Sequence, residues 1–329
     1  MTSRLLHSVA ILAMALVGMQ GQWLAGQADP PAASAGAKRP LSILHAMDVP
    51  SKPSGVIRPA GSQSEAVALG LAKVKTYRFR TVDYPGASTS EAWDNNNGTA
   101  VGSFTFSTGA DIAFYFHDNS YHLVNVPLSL SSYFLGSNAS GQMVGAFVDQ
   151  TGVGHGLFYD GTSFVAIDPP GSLFTEAADI SDSGAIVGQY YDGTTNRGFV
   201  DNSGTFTNID FPGATYTLAI GINSTGDIVG FYNDAAGTHG FLLSGGVYRS
   251  IDFPLAIATE ADGINDAGEI AGFFFDASGA HGFTFARGAF SQIDVAGAAT
   301  TFVRRIKNNG NVVGSYRDAG GISHGIIGR

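Results

Sequence analysis

The 329-residue sequence contains no cysteine. That absence excludes disulfides, thiolate metal sites and a cysteine nucleophile. Charge is also scarce, at 13% of residues, where an average soluble chain has ~25%. The 17 Lys and Arg residues are outnumbered by 27 Asp and Glu, for a net charge of −10. Such a chain lacks the basic patches that grip a phosphate backbone, so no nucleic-acid partner is expected. Long apolar runs are missing too. Val9 to Met19 is 11 residues, well short of the ~20 that a spanning helix needs. No H-E-x-x-H pair, Walker loop or dinucleotide fingerprint occurs, and no cofactor or metal is expected. Gly321-Ile322-Ser323-His324-Gly325 matches G-x-S-x-G in letters alone, because that motif needs the strand–turn–helix elbow of an α/β fold.

What the chain has in abundance is glycine, 45 residues, with 23 Phe and 12 Tyr. Aromatics suit strands and glycine suits tight turns; helices would draw on Ala, Leu, Glu and Lys. Arg4, the apolar run and the small residues Gly26 and Ala28 read as a signal peptide over residues 1–28, which places the mature protein outside the cytoplasm, secreted or periplasmic, with no membrane span after cleavage. Residues 29–74, opening with Asp29-Pro30-Pro31-Ala32-Ala33-Ser34, have linker composition.

From residue 75 to 329 the chain repeats itself. Aromatic-x-x-Ile/Val-Asp/Asn begins at Phe79, Tyr121, Phe164, Phe206, Tyr248 and Phe290, at intervals of 42, 43, 42, 42 and 42 residues. A strand glycine recurs at Gly102, Gly145, Gly188, Gly230, Gly272 and Gly314, and a His-Gly pair at His155, His239, His281 and His324, with Arg197 in the remaining matching copy. Each unit reads as four strands. In the fifth copy Asn265-Asp266-Ala267-Gly268 closes the first hairpin, a type I turn with glycine in the left-handed position. The second strand, Glu269 to Phe275, is apolar on both faces, so its sheet is covered on both sides. The expected fold is an all-β, six-bladed β-propeller of six ~42-residue four-stranded repeats. The pattern starts with a lone fourth strand, Phe79 to Asp83, and ends after a third; pairing these would close the ring and remove its edges.

The runs Gly221-Ile222-Asn223-Ser224-Thr225-Gly226-Asp227-Ile228-Val229-Gly230-Phe231-Tyr232 with His239-Gly240-Phe241, and Gly263 to Phe283, resemble the HAF family of extracellular repeats over roughly residues 77–329. The resemblance implies a bacterial exported protein and no particular reaction. The first copy departs from it, with Ile112-Ala113-Phe114 in place of His-Gly-Phe.

The aligned histidines recur once per blade, too far apart to converge on one reacting atom, and are expected to be structural. Asp149, Asp192, Asp234, Asp276 and Asp318 also recur; one Asp per loop is too few for calcium and suits a turn cap. Thr89, Ser132, Thr175, Thr217, Thr259 and Thr301 are aligned as the start of every first strand. Beyond them the copies diverge: Glu91, Trp93, Tyr133, Glu176, Asp179, Glu260, Asp262, Arg304 and Arg305. If first strands are innermost, these surround the channel mouth, where Trp93, Tyr133, Glu176, Asp179, Glu260, Asp262, Arg304 and Arg305 are the expected ligand-binding set. The expected function is non-catalytic binding or scaffolding by a monomer, with an extracellular glycan, peptide or partner protein as ligand. No catalytic residue is nominated. The alternative is an extracellular carbohydrate-active hydrolase or lyase, for which Glu176 and Glu260 are the one carboxylate pair.

Overall fold

A computed structural model describes residues 77–329 except 97 and 108. The expected leader and linker, residues 1–28 and 29–74, lie outside the described residues. The described residues form 24 strands and no helix, so none of them makes a helix long and apolar enough to cross a membrane.

The strands group into four four-stranded sheets and one of eight. The eight-stranded sheet is two such units joined by a single parallel pairing, Thr238 with Ala258. There are thus six blades: residues 89–124, 129–167, 174–209, 216–251, 258–293, and 300–328 completed by Phe79–Val82. Within each blade neighbouring strands are antiparallel and paired in chain order. The sixth is closed from the other end of the chain. Phe79–Val82 pairs antiparallel with Ser323–Gly328, Phe79 opposite Gly328 and Val82 opposite Gly325. The first strands, such as Thr89–Asn96 and Thr300–Ile306, pack each against the next around the ring, the last against the first. They surround the axis, and no blade keeps a free edge between the termini.

The core lies between blades. Val229 of blade 4 packs with Phe274 and Phe283 of blade 5, and Val101 of blade 1 with Phe134 and Leu157 of blade 2. Burying each such Phe or Leu contributes ~1.5–3 kcal/mol, and the second strands are buried on both faces, apolar but for residues such as Ser103, Gln189 and Ser315. One irregularity recurs in all six first strands: a β-bulge at Trp93, Leu135, Ala178, Ile220, Asp262 and Arg304. It explains the strand glycine. A Cβ on Gly272 would lie 2.0 Å from the Glu260 carbonyl oxygen, and one on Gly145 1.9 Å from that of Tyr133; the two backbones approach too closely for any side chain.

Two sets of pins hold the loops. Thr217, Thr259 and Thr301 accept from the backbone N–H of Phe211, Phe253 and Val295, fastening the incoming connection. In blade 1 this role falls to Ser90, which accepts from Tyr84 N–H, and not to Thr89; the expected alignment is off by one there. Thr175 lacks the bond, because the matching residue is Pro169, which has no N–H. On the opposite face side chains tie hairpin turns of successive blades together, as from blade 2 to 3, 4 to 5 and 5 to 6. Asn265 caps its own turn by accepting from the N–H groups of Ala267 and Glu269, and its amide donates to the Lys307 carbonyl one blade on. Asn223 donates likewise to the Asn265 carbonyl.

Candidate functional site

The bulges shape the channel. At its axis stands the guanidinium of Arg305, 4% exposed. Nη1 donates to the carbonyls of Asp262 and Arg304 at 2.6 and 3.0 Å; Nη2 donates to those of Ala178, Ile220 and Leu135 at 2.8, 3.2 and 3.4 Å. These are the bulge carbonyls of blades 2 to 6, converging on one side chain. Arg305 Nε lies 3.6 Å from the Asp179 carboxylate. Room for this comes from the residue after the bulge: a Cβ on Gly263 would lie 2.8 Å from Arg305 Cα, and one on Gly136 2.7 Å from the Asp179 carboxylate. Asp94 holds the same column in blade 1. It pairs with Lys307 and accepts from both Ser137 N–H and its hydroxyl at 2.9 Å. Burial opposes the Asp94 charge, but Lys307 and Arg305 outweigh it and hold its carboxyl below the usual range. For Asp179 burial prevails and pushes the carboxyl up.

A second layer continues the channel. Tyr133 donates to Glu176 at 2.6 Å, and Gln189 donates to the other carboxylate oxygen at 3.2 Å. Burial raises Glu176 and, with the Glu176 charge, pushes the Tyr133 phenol well up. Arg304 donates to Asp262 at 2.8 Å while its guanidinium lies 4.5 Å from the ring of Trp93 and 4.7 Å from that of Phe273. Burial, then the Asp262 charge, pushes Glu260 up to about 8, which favours its neutral form.

The structure therefore brings all eight sequence-selected residues, Trp93 to Arg305, to one channel, and it buries every one of them. They are partnered mostly with each other and with first-strand backbone. Charge reversal at Arg305 or Glu260 would accordingly strike the fold before it reported on a ligand, because an uncompensated buried charge is costly. Sequence reasoning missed Asp94 and Lys307. Asp94 was legible as the residue following Trp93 in the column of Asp179 and Arg305; Lys307 carried no signal.

The recurring His and Asp residues turn out to be one device. Nδ1 of His155, His239, His281 and His324 lies 2.8–2.9 Å from Asp168, Asp252, Asp294 and Asp83, and Nε2 lies 3.4–3.6 Å from Asp149, Asp234, Asp276 and Asp318. Each imidazole thus bridges the second and fourth strands of its blade. In blade 6 the bridge joins His324 to Asp83, one at each end of the ring-forming chain. Burial opposes the charge of His281 and His324, but the hydrogen bond to Asp294 or Asp83 and the flanking carboxylates outweigh it and raise both. In blade 3 Arg197 replaces the histidine, donating to Asp192 at 2.8 Å and Asp210 at 3.1 Å. In blade 1 the matching residues are Phe106, Ile112 and Asn125, and the device is absent.

A cavity of ≈ 300 Å³ opens between blades 3 and 4, lined by Thr195, Arg197, Asp210, Phe211, Thr215 and Tyr216 among others. The matching place between blades 2 and 3, beside His155, Asp168 and Leu173, has ≈ 70 Å³.

No family model matches the sequence, and no curated protein does. Solved structures match its shape. AofleA from Arthrobotrys oligospora superposes with a TM-score of 0.50 at 12% identity, over 79% of this chain and 91% of that one. The six-bladed propeller lectin of Aleuria aurantia gives 0.45 at 13%, over 74% and 91%, and a streptogramin B lyase gives 0.44 at 12%, over 76% and 97%. At such identities the likeness is one of fold: the chain is a β-propeller.

Proposed function

We propose that this protein is an exported, non-catalytic binding or scaffold propeller of the HAF-repeat type, secreted or periplasmic and monomeric. Its ligand, a glycan, peptide or partner protein, sits on the face where the fourth-to-first connections reach the channel. The observation that carries this reading is the inequality of that face. Six equivalent connections would suffice for folding, yet the junction of blades 3 and 4 opens a ≈ 300 Å³ cavity at the start of the blade 4 first strand where the matching place between blades 2 and 3 has ≈ 70 Å³. The hydrolase or lyase alternative has less support: Glu176 and Glu260 are 0% and 3% exposed, and Glu176 is already held by Tyr133 and Gln189. A catalytic carboxyl pair must meet a glycosidic oxygen and a water.

The test is a glycan and peptide array probed with the full chain, run beside a screen for release of reducing ends. Saturable binding without product is expected. Turnover that is lost in Glu176→Gln or Glu260→Gln would overturn the proposal. N-terminal sequencing of the exported protein should find residues 1–28 removed.

A further inference from the structure

Resting on the reading above, we infer that the groove between blades 3 and 4 is a binding site for a neutral sugar ring, with Arg197 and Asp210 gripping adjacent hydroxyls. Three features coincide there, two of them departures from the repeat. The first is Arg197, which stands where four copies have histidine. A histidine at this position presents both ring nitrogens to its two aspartates, as His281 does to Asp276 and Asp294. Arginine has five N–H donors. Nε serves Asp192 and Nη1 serves Asp210, which leaves the Nη2 donors of a side chain that is 33% exposed.

The second departure is at the rim. Thr195 and Thr215 face each other across the junction, the Thr195 hydroxyl donating to the Thr215 carbonyl at 2.9 Å. At no other junction do both of these positions carry a hydroxyl; the matching pairs are Ala110 with Leu130, Val153 with Leu173, Gly237 with Ile257, Gly279 with Ala299, and Ile322 with Ser88. The third is the cavity itself, ≈ 300 Å³ here, at the lower end of the ~300–1,000 Å³ of small-molecule sites.

Charge and shape select the ligand class. Asp192 and Asp210 flank Arg197, so the cluster is already net negative and does not favour an anion. A vicinal diol supplies what remains: one hydroxyl accepts from Arg197 Nη2 and donates onward, and the other donates to the exposed Asp210 carboxylate. Phe211, held rigidly by stacking on Tyr232 at 3.6 Å, and Tyr216 give the apolar wall against which the C–H face of a pyranose packs.

The test uses the full chain and methyl glycosides of the common hexoses, deoxyhexoses and N-acetylhexosamines, with a peptide library in parallel, read by calorimetry. Two variants close the site in ways the repeat already tolerates: Arg197→His restores the residue of four other blades, and Thr215→Leu installs the residue found at 130 and 173. Each is expected to weaken glycoside binding roughly tenfold or more, the loss of one charge-assisted hydrogen bond or of the space for the ring. His281→Arg in blade 5 should leave affinity unchanged. Glycoside binding that survives both closing variants would overturn the groove while leaving the binding function standing. Binding confined to peptides would overturn the ligand class, and binding to neither panel would overturn the general reading as well.

Discussion

Replacing Arg305 with alanine should open the axis of the ring. The side chain is 4% exposed and its two terminal nitrogens donate to five backbone carbonyls from blades 2 to 6. Those nitrogens carry four protons, so four bonds at most act at full strength, each worth ~1.5–3 kcal/mol when the donor is charged. They partly offset the cost of burying the guanidinium, so their sum is not the answer. What the alanine variant leaves behind is: five inward carbonyls without a donor, and Asp179 without its cation. Breaking a buried ion pair by removing one partner costs ~3–5 kcal/mol, a large part of the ~5–15 kcal/mol that holds a typical domain together. Urea unfolding of wild type and Arg305→Ala would measure it. Because the vacated space has the shape and acceptors for a guanidinium, methylguanidinium at low millimolar concentration should restore part of the loss. Occupancy at ten times its dissociation constant returns ~1.4 kcal/mol, or a rise of a few degrees in Tm for a domain of this size. Wild type, whose site is filled, should show no such rise, and neither should the variant in matched sodium chloride. A loss below ~1 kcal/mol, or an equal response of wild type and variant, would refute the plug.

Other outcomes follow from the same geometry. Glu260 has a folded value of about 8 against an unfolded 4.5; an acid raised on folding contributes most below the unfolded value, so stability should decline as pH rises from 4.5 toward 8. Glu260→Gln should flatten that decline and stabilise the protein at pH 8 by more than ~1 kcal/mol, the full window bounding the gain at ~5 kcal/mol, as read by denaturation at pH 5 and 8. His281 and His324 are raised on folding, so their bridges are fully present below pH ~6.5 and are lost as pH climbs through the folded values. His324→Arg should keep the bridge to Asp83 at pH 9, giving a higher Tm than wild type there and little difference at pH 6; the reverse order would contradict the charged bridge. Leu255 is 84% exposed with φ +63°, in a position that is glycine in four connections and Leu128 in the other. Leu255→Gly should remove ~1–2 kcal/mol of left-handed strain, less the ~0.5–1 kcal/mol that glycine loses in chain entropy, and the variant should melt at or above wild type.

The repeat interval, the two-faced apolar second strands and the orphan fourth strand at Phe79 determine a closed six-bladed ring from sequence alone, because each depends on local periodicity and on leaving no unpaired edge. The structure agrees down to the pairing of Val82 with Gly325. The sequence also marks many of the residues that line the axis, though not Asp94 or Lys307, since variation among otherwise equal first strands picks out positions that face one another and not the shared core. Tertiary structure alone decided what those residues do there. Whether Arg305 reaches ligand or backbone depends on five carbonyls from five blades, up to 170 residues away in the chain, turned inward by bulges whose sequence signal is only the strand glycine opposite them. The same holds for the histidines. Their spacing showed that they cannot converge on one another, but not that each meets two aspartates brought in by strands on either side. The groove beside Arg197 is the extreme case: its residues come from two blades, and nothing local in the sequence shows that Arg197, Asp210 and Tyr216 line one cavity.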